Sequence, residues 1–176
     1  MPAMITLRIK DDVPSLRASR RFAVVRQAFA KGRELHGLRL VEFSVLSNHL
    51  HLIVEAENSE SLSRGMQGLC IRLAKALNRF LRRSGGVFAD HYHSVLLRTP
   101  TELVNRIAYV LSNAVHHYGS DFEACSSLEK GAGALLAKPR GWLLTSGFMR
   151  GRGPKEPRAL EALRRWSIAR KLREMA

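Results

Sequence analysis

Short β-prone runs alternate with longer helical stripes over the first 119 residues of this 176-residue chain. The β-prone runs cover residues 6–9, 38–46, 49–55 and 94–98, and the tight turn at Ser47-Asn48 predicts a hairpin. Apolar residues at helical spacing predict helices over residues 17–31 and from Leu62 to about Phe80. Thr99-Pro100-Thr101-Glu102 has the residues of a helix start with a capping box, and we expect that helix to run to about Tyr118.

The order of these elements predicts the fold class. The order β-α-β-β-α-β-α matches, in its first six members, a ferredoxin-like split βαβ unit. We therefore expect an α+β protein: an antiparallel sheet with helices on one face, plus one further helix and a basic C-terminal extension. The predicted domains are residues 1–119 and 120–176. Within the extension, residues 147–157 look like a linker, and residues 160–174 predict a last basic helix.

Two histidines stand one residue apart inside the third β-prone run. Side chains alternate across a strand, so His49 and His51 share one face while Leu50, Leu52 and Val54 face the other. The leucines can supply core, and the histidines then point to the face that the two internal helices leave open. Two imidazoles in this arrangement can ligate one cation, although a histidine–apolar–histidine triplet also arises by chance.

A second triplet, His91-Tyr92-His93, follows a glycine-rich loop. No apolar alternation flanks it to hold both rings on one face, so it is the weaker candidate for a ligand pair. Either ring could instead contact a phosphate.

The predicted helix after Thr99 carries the other candidate residues. Tyr109 and Asn113 are four residues apart and lie on one helical face. An asparagine inside a helix is slightly unfavourable unless its side chain has a partner, and a metal ion is one such partner. Tyr109 is either an aromatic residue at the edge of the core or a nucleophile.

The charge balance adds a class of partner. Lys and Arg number 29 against 15 Asp and Glu, for a formal net charge of +14, which favours a polyanionic partner: nucleic acid first, an anionic membrane surface second. No apolar run approaches the roughly 18 residues of a membrane span. Two isolated cysteines form neither a disulfide framework nor a zinc pattern. We expect a cytoplasmic, nucleoid-associated protein.

Two basic segments are candidates for contacts with nucleic acid. A stripe on the second predicted helix is more often a solvated face, but it can track phosphates; its residues are Arg72, Lys75, Arg79 and Arg83. In a split βαβ fold this stripe is remote from the open sheet face. The basic tail is the better candidate, with Arg164 and Arg165 as cations and Trp166 as a residue that can stack on an unpaired base.

Taken together, these motifs resemble a known family. The triplet His49-Leu50-His51, preceded by S-x-L-S-N and followed by LIVE, resembles the HUH motif, and residues 85–119 resemble the region leading into the nucleophile helix of single-tyrosine HUH transposases. The resemblance is greatest to the REP-associated tyrosine transposases and covers about residues 5–119. Where that family often has Asn-Pro, this chain has Asn113-Ala114.

The resemblance implies a set of roles. Tyr109 would be the nucleophile, His49 and His51 metal ligands, and Asn113 the third ligand. The metal would be Mg²⁺ or Mn²⁺, and the substrate single-stranded DNA with hairpin elements, cleaved by a monomer or homodimer through a 5′-phosphotyrosine. Two alternatives stay open: a domesticated, non-catalytic nucleic-acid-binding protein on the same scaffold, and a metal-dependent nuclease that uses water.

Overall fold

The computed structural model describes residues 1–119 and 121–175; Ser120 and Ala176, both in the predicted extension, lie outside the described residues. The strands are β1 (Pro2–Arg8), β2 (Glu34–Leu35), β3 (Leu38–Val45), β4 (His49–Ala56) and β5 (His93–Leu96). The α-helices are α1 (Ser19–Gly32), α2 (Ser59–Leu81), α3 (Pro100–Tyr118), α4 (Trp142–Thr145) and α5 (Pro157–Met175). Short 3₁₀ turns cover Ala132–Leu135 and Gly147–Arg150.

Within the described residues the strands form one five-stranded sheet in the order β2-β3-β4-β1-β5, with every pairing antiparallel. This is the strand order of a split βαβ fold, with the short β2 added at one edge. Helices α1 and α2 pack together on one face, so the predicted fold class is confirmed.

The core beneath α1 and α2 follows from the alternation of the central strands. Leu50, Leu52 and Val54 of β4 are fully buried there, together with the inward residues of β1 and β3. The apolar stripe of α2 covers them; its buried members are Leu62, Met66, Leu69, Leu73 and Leu77. Asn58 caps α2 by accepting a hydrogen bond from the backbone N–H of Ser61 at 2.8 Å.

A second core lies on the opposite sheet face, under α3 and α5. A β-bulge between Leu40 and Glu42 turns both Val41 and Glu42 toward this face. The Glu42 carboxylate, 2% exposed, accepts hydrogen bonds from Trp166 Nε1 and Arg173 at 2.8 Å each, and from the Ser127 hydroxyl. Helix α5 is thereby fixed over β3.

The prediction that Trp166 stacks on an unpaired base is wrong for this structure. The indole is 2% exposed and packs edge-on against Phe148, with ring centroids 5.1 Å apart. Its one polar atom is bonded to Glu42. Trp166 is therefore a core residue that joins α5 to the sheet.

The segment that was expected to be a linker contacts α3. The backbone N–H of Arg152 donates to the Thr101 hydroxyl at 3.2 Å, and the Asn105 amide donates to the carbonyl of Arg152 at 3.3 Å. Across the described ranges, no helix is both long and apolar enough to cross a membrane.

Replacing Trp166 with alanine should lower the free energy of unfolding by about 3–5 kcal/mol, because it removes a buried aromatic ring and leaves Glu42 short of a donor. The matched control is Ile168→Ala on the same helix, where the side chain is 61% exposed and the cost should be small. Chemical denaturation followed by circular dichroism measures both. Equal costs for the two variants would contradict the packing of α5 described above.

Candidate active site

Strand β4 places His49 and His51 on the sheet face opposite the leucine core. Their rings are parallel within 6°, with centroids 6.3 Å apart. His51 is 6% exposed, and His49 is half-buried at the start of the strand. The two imidazoles therefore present the same edge to the same side of the sheet.

Each histidine is held by a polar neighbour through Nδ1. Asn48 Oδ1 accepts a hydrogen bond from Nδ1–H of His49 at 2.8 Å. The Thr6 hydroxyl, on the adjacent strand, lies 3.1 Å from Nδ1 of His51 and can accept its proton. In this tautomer Nε2 of both rings keeps its lone pair, which is the usual arrangement for metal-binding histidines. Thr6 and Asn48 were not found by the sequence analysis.

Burial and nearby positive charge keep both rings neutral. Burial lowers the pKa of His51 to about 4, and the fields of His49 and His117 act in the same direction. The pKa of His49 is also lowered, first by burial and then by Arg8 and His117. Both imidazoles are consequently free of the second proton at neutral pH and can act as ligands.

Helix α3 begins as predicted. The Thr99 hydroxyl accepts a hydrogen bond from the backbone N–H of Glu102, and the Glu102 carboxylate accepts one from the backbone N–H of Thr99. Gly119 ends the helix in the left-handed conformation, with φ of 58°.

The helix brings Tyr109 against the histidine pair. Its ring meets the ring of His51 edge-on, with centroids 5.6 Å apart, while 43% of the residue stays exposed. Asn113, one turn later, is 6% exposed, and His117 follows after another turn. Since Tyr109 touches His51 and His117 acts on both histidines, Asn113 lies on the helix between two residues that border the pair.

Tyr118 joins the end of α3 to the start of β4. Its hydroxyl accepts a hydrogen bond from the backbone N–H of Ser47 at 3.1 Å, and the guanidinium of Arg17 lies 4.8 Å above its ring. Tyr92 packs against the core on the opposite sheet face. Of the chain's three tyrosines, Tyr109 is thus the one that combines an exposed ring with contact to the histidine pair.

Two imidazole nitrogens and one amide oxygen fit a divalent cation. Imidazole suits transition metals, and an amide carbonyl is an oxygen ligand. Residues 1–119 and 121–175 contain no group of three or more His, Cys, Asp or Glu arranged to hold a metal. His49 and His51 would supply two ligands, and the side-chain amide of Asn113 would supply the third.

The predicted nucleic-acid contacts are divided between the two faces of the sheet. Arg72, Lys75 and Arg79 are exposed on α2, which covers the other sheet face, and Arg83 pairs with Asp12 at 2.6 Å. On α5, Arg164 is exposed. Arg165 pairs with Glu161 at 2.9 Å and lies 5.0 Å above the ring of Phe122.

The second histidine triplet splits between a loop and a strand. His91 precedes β5, whereas His93 is its first residue and pairs with Thr6. Because Thr6 also pairs with His51, His93 lies on the same sheet face as the histidine pair, two strands away.

Among known proteins, the chain resembles two solved structures. No protein-family model and no curated protein matches the chain. The solved structure of a REP-associated tyrosine transposase bound to a REP hairpin matches with a TM-score of 0.55 and 13% identity, covering 72% of this chain and 75% of that chain. A provisionally assigned transposase from Deinococcus radiodurans R1 matches with a TM-score of 0.47 and 14% identity, covering 58% of this chain and 83% of that chain.

The first likeness shows a shared fold, and the second is too weak to carry an argument. The resemblance drawn from the sequence is confirmed at the level of the fold: this α+β chain has the fold of a REP-associated tyrosine transposase.

In the absence of divalent cations, the free energy of unfolding should fall as pH is lowered from 6.5 toward 4. An unfolded histidine takes up its proton near pH 6.5, whereas His51 in the fold does so only near pH 4. The unfolded chain therefore binds more protons across this window, and acid favours unfolding. Urea denaturation at a series of pH values, with a chelator present, measures the slope. It should be shallower in His51→Gln, and an identical slope in both proteins would contradict the buried, neutral state of His51.

Proposed function

We propose that this protein is a metal-dependent DNA transposase or nickase-ligase that cleaves hairpin-flanked single strands through Tyr109. The observation that carries the proposal is the contact between the exposed ring of Tyr109 and the ring of His51, which lies parallel to the ring of His49. It is supported by the fold shared with a transposase. Binding alone needs neither a positioned tyrosine nor two histidines with free Nε2 atoms.

The proposed reaction is a transesterification. The phenolic oxygen of Tyr109 attacks a backbone phosphorus, so an oxygen–phosphorus bond forms while the bond from phosphorus to the 3′ oxygen breaks. The phenol proton passes to solvent, which reaches the exposed ring, and the leaving oxygen takes a proton to become a 3′ hydroxyl. The 5′ phosphate stays on Tyr109. Because one phosphodiester bond replaces another, a 3′ hydroxyl can reverse the step and rejoin the strand.

His49, His51 and Asn113 would hold a divalent cation, Mg²⁺ or Mn²⁺. When bound, the cation supplies Lewis-acid polarisation of a phosphate oxygen. Mg²⁺ prefers oxygen ligands and imidazole suits later metals, so two histidines favour Mn²⁺. Thr6 and Asn48 would orient the two rings through hydrogen bonds to their Nδ1 atoms.

The proposed substrate rests on charge and on the structural neighbour. A net charge of +14 favours a polyanion, and the similar transposase is bound to a REP hairpin. We infer that this chain also acts on DNA in which a hairpin adjoins an unpaired strand.

Replacing Thr6 with valine should weaken Mn²⁺ binding about 10- to 100-fold, because the hydroxyl that orients His51 is lost while the shape is kept. Isothermal titration calorimetry of the DNA-free protein measures the affinity. The control is Thr145→Val, which removes a hydroxyl bonded to helix α4, remote from the histidines. Equal affinities in the two variants would argue against His51 as a ligand.

The Tyr109→Phe variant should form no covalent protein–DNA adduct, because phenylalanine has no oxygen to attack phosphorus. A hairpin-flanked single strand, labelled at either end, is incubated with Mn²⁺ or Mg²⁺ and the protein is run on a denaturing gel. The wild type and the control Tyr92→Phe should both carry the label of the 3′ fragment.

Two results would overturn the proposal. Cleavage that persists in Tyr109→Phe without an adduct would identify a nuclease that uses water. Tight binding of the hairpin without any cleavage by the wild type would identify a non-catalytic binding protein.

A further inference from the structure

On the sheet face that carries the histidine pair, the last residue of β1 and the first residue of β5 are exposed. Helix α5 lies over β3 through Trp166 and Glu42, and Gly151, just before it, packs against Val104 on one flank of α3. The opposite flank of α3 borders the histidine pair, where Tyr109 contacts His51. On β1 and β5, Arg8 and His93 are exposed and Thr6 is partly exposed. We call this surface the notch: its floor is Thr6, Arg8 and His93, and its wall is the flank of α3 with Arg106, Tyr109 and His117.

Strand register fixes the floor relative to the histidine pair. His51, Thr6 and His93 form one row across three strands, and His49 and Arg8 are paired in the next row on the same face. Neighbouring strands are about 4.8 Å apart, so His93 lies roughly 10 Å from His51. The floor thus continues directly from the candidate ligands to the free edge of the sheet.

Helical periodicity fixes the wall. Arg106 precedes Tyr109 by three residues and Asn113 by seven, and His117 follows Asn113 by four, so all four lie on one flank of α3. Arg106 and His117 are 11 residues apart, or about 16 Å along the helix. Tyr109 contacts His51, and the field of His117 reaches both histidines, which places this flank beside the pair.

Two cationic side chains stand at opposite ends of the notch. Arg106 is exposed and has no carboxylate within ion-pair distance among the residues that the structure describes. Arg8 has one distant partner, Asp11 at 3.9 Å, and both side chains are more than half exposed, so this pairing is weak. Arg8 pairs with His49 across β1 and β4, and Arg106 lies about one helical turn before Tyr109, so the two arginines occupy positions on either side of the histidine pair and Tyr109.

We infer that a single DNA strand runs along the notch, parallel to α3, with Arg8 and Arg106 each neutralising one phosphate on either side of the phosphate that Tyr109 attacks. This inference rests on the proposed function and adds the path of the substrate. It assigns phosphate contacts to two arginines that lie on either side of the histidine pair. Both lie on the sheet face opposite to the basic stripe of α2.

The test is the salt dependence of single-strand binding. A short fluorescently labelled single strand is titrated with protein carrying Tyr109→Phe, without divalent cations, and its anisotropy is followed over a range of salt concentrations. Each phosphate neutralised on a single strand contributes a slope of about −0.7 to log affinity against log salt. The double variant Arg8→Gln, Arg106→Gln should therefore reduce the slope by about 1.4.

The matched control is Arg20→Gln, Lys31→Gln, which removes the same charge from exposed positions of α1, on the other side of the sheet. Its slope should stay within about 0.5 of the parent. Equal changes in the two double variants, or no saturable binding by the parent protein, would overturn the inference. Because the assay uses a protein that lacks the Tyr109 hydroxyl, its failure leaves the adduct experiment untouched, and failure of adduct formation leaves this measurement valid.

Discussion

The alternation of strand β4 is the constraint on which the candidate site depends. Leu50, Leu52 and Val54 are fully buried beneath α1 and α2, and each contributes about 1.5–3 kcal/mol relative to an exposed position. A slip of one residue in register would turn these side chains toward α3 and force His49 and His51 into the apolar core. The burial of the leucines therefore fixes the direction of the imidazoles. The pairing with β1 then supplies Thr6 opposite His51, so one register sets both the candidate ligands and their orientation.

Helix α3 can leave Tyr109 exposed because other residues hold the helix in place. Its apolar side packs on the second core, and its first turn is closed by the capping box of Thr99 and Glu102. At the other end Tyr118 bonds to the backbone of Ser47, two residues before His49. The proposed nucleophile, Tyr109, has to be accessible, so it cannot also be the residue that anchors α3. The geometry between Tyr109 and His51 follows from anchors on both sides of it along α3.

The parts of the structure that could be predicted from the sequence are those set by local periodicity. Alternation in residues 49–55, the stripe of α2 and the capping box of α3 are local patterns, and each is present in the structure. Thr6 and Tyr118 could not be found this way, because their partners lie 45 and 71 residues away in the chain. The two-residue β2 is too short to show a period.

Trp166 was misassigned for the same reason. Helix α5 is rich in charged residues and only Ala162 and Trp166 are buried along it, so its sequence gives little indication of an inward face. The partner that fixes Trp166, Glu42, is 124 residues away and faces α5 only because a β-bulge turns it there. The position of His93 could not be predicted either, since its place beside Thr6 depends on the pairing of β5 with β1 rather than on its neighbours in sequence.

The sheet face that carries the histidine pair is divided by charge, and in the proposed function this division would let neutral ligands and an anionic partner coexist. Glu42 and Glu55 are both buried on the β3–β4 half, where Glu42 is bonded to Trp166 and Arg173. Burial alone would raise the pKa of Glu55, but hydrogen bonds from the backbone of Arg140, the Arg39 side chain and the backbone of Gly141 hold it below its usual value.

Both carboxylates are thus bonded to donors and covered by the C-terminal segment. On the β4–β1 half, burial lowers the pKa of both histidines, and the Arg8 guanidinium lowers that of His49 further. The same guanidinium would attract a phosphate group. An unpaired carboxylate on this half would raise the pKa values of the histidines and would repel phosphate. Residues 121–175 thus cover the half of the sheet that carries Glu42 and Glu55, and the polyanion of the proposed function would bind on the half that carries His49, His51 and Arg8.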